Sequence, residues 1–125
     1  MRFDDSELRA WQRQLRTTPI RVRAEAMKIV RKGAMNIRDD ARKRVREAIR
    51  PKFLPKYAPQ ITSEVLGGGL SAEVGPLDEG QGQLGRGVEF GSRHAGPIPH
   101  MLPAADAEEP LFQGAMGALA MGALE

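Results

Sequence analysis

From Pro19 to Arg50 the chain repeats small and apolar residues at helical spacing, and this run most restricts what it can fold into. Met27, Val30, Ala34, Ile37, Ala41, Val45 and Ala48 follow one another at steps of 3, 4, 3, 4, 4 and 3 residues, one narrow seam along a helix. Thr18 suits the N-cap and Pro19 the first helical position, where a missing N–H costs nothing. Pro51 ends the run, and Pro55 and Pro59 keep the following link extended. At ~1.5 Å per residue such a helix reaches ~45 Å, more than a small domain needs to cover its own core. The seam is therefore expected to pack partly on something outside the subunit, and its alanines permit close helix approach. Arg21, Lys28, Lys32, Lys43, Arg46 and Arg50 fall together on the opposite face.

Charge is divided along the chain in the same way. Residues 1–56 hold 17 of the 19 Lys/Arg and 7 of the 16 Asp/Glu, a net of +10. Residues 57–125 hold the remainder, a net of −7, and 13 of the 14 glycines. The formal total of +3 conceals a basic helical half joined to an acidic, glycine-rich half. A length of 125 residues suits one domain. The absence of cysteine excludes disulfides, thiol catalysis and cysteine zinc sites. No apolar run approaches the ~18 residues of a membrane span, and MRFDDSELRAWQ lacks the apolar core of a signal peptide, so a cytosolic origin without membrane contact is expected.

The rest of the chain is read from shorter patterns. Residues 6–16 suit a short helix with Ser6 as N-cap and Leu8, Trp11 and Leu15 as its apolar stripe. Ile61, Ser63 and Val65 alternate with Thr62 and Glu64. After Gly67-Gly68-Gly69, Leu70, Ala72 and Val74 alternate with Ser71 and Glu73, which predicts a hairpin. Residues 77–87 read as a loop and Val88-Glu89-Phe90 as a third strand, Val88 and Phe90 sharing one face. Residues 106–124 suit a final helix with Asp106 as N-cap. Its tail, GAMGALAMGAL, carries glycines that cost ~1 kcal/mol each in a helix and calls for a partner surface, with Met116 and Leu119 as contacts. The expected fold is α+β: a long amphipathic helix on a small antiparallel sheet of three to four strands, with a C-terminal helix. The single domain divides into residues 1–56 (basic, helical), 57–105 (acidic sheet and loops) and 106–125.

Little in the sequence points to chemistry, and no catalytic residue, metal or cofactor is expected. Gly80-x-Gly82-x-x-Gly85 matches the dinucleotide fingerprint in letters only, because Leu77-Asp78-Glu79 before it repels phosphate and a strand-like segment follows. His94 and His100, six apart, fit no helical ligand pair; a proline-rich loop could bring Glu89 to them as a metal site, but they read first as polar loop residues. No serine stands in a nucleophile elbow. The basic face admits three readings: a solvated surface, a contact for an acidic protein surface, or a nucleic-acid footprint. No aromatic residue is interleaved for base stacking, and Glu25, Asp39, Asp40 and Glu47 pair part of the charge internally. An acidic half on the same chain supplies a partner for the basic face on a neighbouring copy.

Ala72-Glu73-Val74-Gly75-Pro76, then Val88-Glu89-Phe90-Gly91-Ser92, then Pro99-His100-Met101-Leu102-Pro103-Ala104 form an ordered series. In this order the chain resembles the small minor tail proteins (neck, or tail-completion) of long-tailed bacteriophages, over about residues 7–120. The family's P-x-D-T-G-x-L stretch and its tyrosine before V-E-F-G are replaced here by Pro55–Ile61 and Leu84–Gly87. The resemblance implies a structural ring, six-fold in that family, at the head-to-tail junction of a virion assembled in host cytoplasm. Its neighbours would be connector, terminator or tail-tube proteins, and DNA would pass through the lumen without specific binding. It also implies structural roles for Val88, Glu89, Phe90, Gly91, Pro99, Leu102 and Pro103. Gly91 would supply a turn closed to larger residues, and Leu102 a buried plug. The alternative from another class is a small nucleic-acid-binding protein using the basic helix.

Overall fold

The computed structural model describes residues 5–16, 20–50 and 52–123. Thr18, Pro19 and Pro51 lie outside that set, as do the side chains of Trp11 and Leu15. Four helices and one hairpin follow in order: α1 (Asp5–Arg16), α2 (Ile20–Ala48), β1 (Ile61–Leu66), β2 (Ser71–Pro76), α3 (Gly85–Phe90) and α4 (Met101–Ala123). The fold is α+β, with long helices and a C-terminal helix. Its sheet has two strands among the described residues, not three or four. Ser6 lies inside α1 instead of capping it.

α2 is the spine. Its buried residues are Val22, Ala26, Val30, Gly33, Ala34, Ile37, Ala41 and Val45. Along this set the steps are mostly four residues, longer than the ~3.6 of one turn, so the buried stripe winds around the helix. The winding turns different parts of α2 toward different neighbours. Near its start Ala26 packs with Met116 of α4, beside Leu70, Phe112 and Leu119. Near its end Ile37, Ala41 and Val45 pack with Tyr57, Ala58, Ile61, Val88 and Ala104. Ala104 lies by the second half of α2 and Met116 by the first, so α4 runs antiparallel to α2. Met27 and Ala48, placed on the seam by spacing alone, are exposed. Met27 instead lies over Gly69, where a Cβ would come within 2.5 Å of its terminal carbon.

The hairpin forms where alternation and glycines place it. Ile61 pairs with Pro76 and Leu66 with Ser71, and Gly67, Gly68 and Gly69 all take positive φ in the turn, which a residue with a Cβ resists. Glu64 stands directly opposite Glu73, a like-charge pair that weakens the ladder slightly.

Two expectations fail for local reasons. Val88-Glu89-Phe90 is helical, not a strand. Residues two apart on a helix point nearly opposite ways, so Val88 is buried while Phe90 is 63% exposed. The preceding loop is also wound, with a 3₁₀ turn over Gly80–Leu84. Second, the last helix starts at Met101, and Asp106 lies inside it. Leu102 is consequently on the first turn, and at 56% exposure it is no buried plug. Among the described residues no helix is long and apolar enough to cross a membrane.

Candidate functional site

The segments that carry the family resemblance meet in space. Glu89, on α3, is buried, and its carboxylate accepts the backbone N–H of Met101 at 2.7 Å and that of His100 at 3.1 Å. These are orphan donors of the first turn of α4. A carboxylate there satisfies them and also sits in the favourable field of the helix N-terminus. Glu89 thus does for α4 what a local N-cap would do, from twelve residues earlier in the chain. Ile98 N–H donates to the Val88 carbonyl at 2.7 Å, completing the join.

His100 is fully buried beside this carboxylate. Its Nδ1 lies 2.7 Å from the Ile98 carbonyl oxygen and 3.1 Å from Glu89 Oε1. Both are acceptors, so the hydrogen is assigned to Nδ1. Nε2 is then free to accept from the Tyr57 hydroxyl, 2.7 Å away. The rings of Tyr57 and His100 meet edge to face at 5.4 Å. Burial, and then the Glu89 charge, push the Tyr57 pKa up to about 12. His94, by contrast, is exposed in the loop. The two histidines do not converge, and among the described residues no group of three or more acidic or histidine side chains is placed to hold a metal.

Close packing sets three further glycine positions. Gly91 has φ +89°, and a Cβ there would lie 3.1 Å from Pro97 N. Gly82 and Gly85 of the dinucleotide-like string are packing positions: a Cβ would strike the Leu77 carbonyl oxygen at 2.1 Å and Pro76 Cγ at 2.4 Å. Pro99 is exposed and Pro103 half-buried.

Val30, Ala34, Ile37, Ala41 and Val45 are buried in the chain's own core, as is Met116, with Leu119 half-buried beside it. The long helix is covered largely by α4, and Val30, Ala34, Ile37 and Met116 also line the groove described below. A close approach does occur, at Gly33, where the side chains of Phe112 and Glu108 lie against α2. Buried Glu108 there accepts from Asn36 Nδ2 at 3.1 Å. On the glycine-rich tail, an added Cβ at Gly114, Gly117 or Gly122 would meet nothing within 4 Å.

Two surfaces stand out among the described residues. Arg21, Lys28, Lys32, Lys43, Arg46 and Arg50 are all exposed. At about 100° per residue they centre almost opposite the buried stripe. Pairing on this helix is partial: Lys28–Glu25, Arg38–Asp39 and Arg44–Asp40 are bridged at 3.1, 2.9 and 3.0 Å. The other surface is an apolar groove of about 860 Å³ between β2, α4 and α1. Val30, Ala34 and Ile37 of α2 contribute to it, with Val74 from β2 and Leu102 and Phe112 from α4. Among the described residues its ionisable lining is Glu7 and Glu108.

No family model, curated protein or solved structure matches this chain.

Proposed function

We propose that the chain is a structural subunit of a phage head-to-tail connector, a neck, tail-completion or terminator ring through which DNA passes without specific binding. One observation carries the reading. The two segments resembling the phage family, Val88–Ser92 and Pro99–Ala104, are bonded to each other through Glu89, His100 and Met101, so the motif is a fold joint and needs no substrate. A charged face on α2, an open apolar groove and exposed Phe90, Leu102, Leu111 and Met121 are surfaces suited to assembly. The subunit would repeat as a homo-oligomeric ring, six-fold by the resemblance, between connector and tail-tube neighbours in the virion.

Removal of the gene product tests this directly. Particles made without it should accumulate as filled heads and separate tails, and electron microscopy of complete virions should place the chain at the junction. Its absence from purified virions would overturn the proposal. The six exposed cations also favour a second reading, a small nucleic-acid-binding protein. That reading predicts a stable monomer whose affinity for DNA collapses between low and physiological salt.

A further inference from the structure

The hairpin has two open edges, and they are unlike. Leu77 N–H donates to the Gln60 carbonyl at 2.9 Å, one step beyond the Ile61–Pro76 pair. Antiparallel ladders alternate hydrogen-bonded and non-bonded pairs. The bonded pairs are therefore Thr62–Gly75, Glu64–Glu73 and Leu66–Ser71. The backbone groups of Ser63 and Val65 then point away from β2, and those of Ala72 and Val74 away from β1. Ile61 agrees with this phase: its N–H turns back to Ala58 and its carbonyl accepts Arg42 Nε at 2.9 Å. Among the described residues no hydrogen bond reaches the outward backbone groups of Ser63, Val65, Ala72 or Val74.

The surroundings of the two edges differ in charge. Arg42 sits at the β1 edge, near enough to Arg38 and Arg46 for their charges to act on it. Beyond β2 lies the apolar groove, lined also by α4 and α1, whose ionisable residues among those described, Glu7 and Glu108, are acidic. An unbonded strand edge beside an apolar trough is the arrangement that accepts an added strand: main-chain bonds hold it and the trough takes its alternate side chains.

We propose that the β2 edge and its groove receive the β1 edge of a second copy, joining subunits head to tail in a shared antiparallel sheet. A second copy fits because it brings the missing edge and the opposite charge together, its arginines approaching the acidic groove. One copy carries both halves of the contact on opposite sides, so the contact is heterologous and can close a ring. This rests on the ring-subunit reading and adds which surfaces meet.

Proline tests it at positions where the outward N–H is unbonded, so the hairpin's own ladder is left intact. Ala72→Pro blocks the β2 edge and Ser63→Pro blocks the β1 edge. In light scattering at millimolar concentration, wild type should associate and each variant alone should be monomeric. Mixed together, the two variants should form a one-to-one heterodimer and nothing larger, because one good edge of each kind remains. Amide exchange of wild type is a second readout that needs no variant: protection at Ser63, Val65, Ala72 and Val74 should rise with protein concentration. A wild type that stays monomeric overturns the pairing. So does a wild type that associates without protection at those amides, or single variants that still associate; in those cases self-assembly stands and only this contact fails. The connector reading is judged separately, by the location of the chain in the virion.

Discussion

Truncating Glu89 should loosen the protein at one place first. Glu89→Ala strips the acceptor from two backbone N–H groups at the head of α4, held at 2.7 and 3.1 Å, and removes the carboxylate 3.1 Å from His100 Nδ1. Hydrogen bonds to a charged group contribute about 1.5–3 kcal/mol each, and an orphaned buried donor costs about 1–3 kcal/mol. Replacing an ordinary N-cap by alanine costs about 0.5–2 kcal/mol. Two bonds at a buried site place the expected loss near 3 kcal/mol, toward the upper end for single substitutions. For a chain of 125 residues that is a fall in Tm of about 12 °C, at roughly 4 °C per kcal/mol. Glu89→Gln keeps one acceptor oxygen but turns an amide toward the donors, so it should lose about half as much. Urea denaturation followed by far-UV circular dichroism gives the free energies, and amide exchange should show protection falling first at His100 to Ala104. A loss below about 0.5 kcal/mol, the level of an ordinary surface change, would refute the capping role. So would equal losses spread over all of α4 and α2.

Three further outcomes follow from other positions. Tyr57 is the only tyrosine, so absorbance at 295 nm should record its titration near pH 12 instead of 10. Because the folded pKa is raised, the neutral phenol's contribution to stability is complete below pH 10 and fades from there to pH 12, by about 1.4 kcal/mol per pH unit; Tyr57→Phe should abolish that slope. Gly91→Ala forces a Cβ into a positive-φ turn 3.1 Å from Pro97 N and should cost about 1–3 kcal/mol, measured by thermal unfolding. Gly117→Ala, where an added Cβ meets nothing, should stabilise the isolated subunit by up to about 1 kcal/mol; destabilisation would mean that α4 is not helical there.

What could be read from the sequence was what local periodicity encodes. The hairpin was legible because its alternation and its three glycines lie within sixteen residues, Ile61 to Pro76. α2 was legible as a helix, yet its buried stripe was misplaced toward Met27 and Ala48. A narrow seam of 3- and 4-residue steps describes a helix facing one neighbour, whereas α2 meets Met116 and Leu70 at one end and Tyr57, Ile61, Val88 and Ala104 at the other. Val88-Glu89-Phe90 alternates as a strand would, and three residues are too few to separate period 2 from a short helix. The start of α4 was hidden because its cap comes from Glu89 and not from a neighbouring Ser or Asp. The burial of His100 was hidden for the same reason: its hydroxyl partner, Tyr57, is 43 residues away, and Pro-Ile-Pro-His-Met-Leu-Pro gives no local sign of a buried polar ring. Glu108 reads as an ordinary charged residue near a helix start until Asn36 is brought against it.

The bonds from Glu89 to His100 and Met101, with Ile98 to Val88, pinch the chain into a loop whose tip, Ser92 to Pro97, is exposed. The anchor points are fixed independently of what lies between them. Lengthening such a loop adds only about 0.6 kcal/mol of closure entropy per doubling. The tip around His94 and Gly96 is thus a port for an inserted epitope or gold-binding peptide, with the α4 cap left in place. A subunit tagged there would carry its own landmark into an assembled particle, and the side of the ring on which the added density appears would give the subunit's orientation.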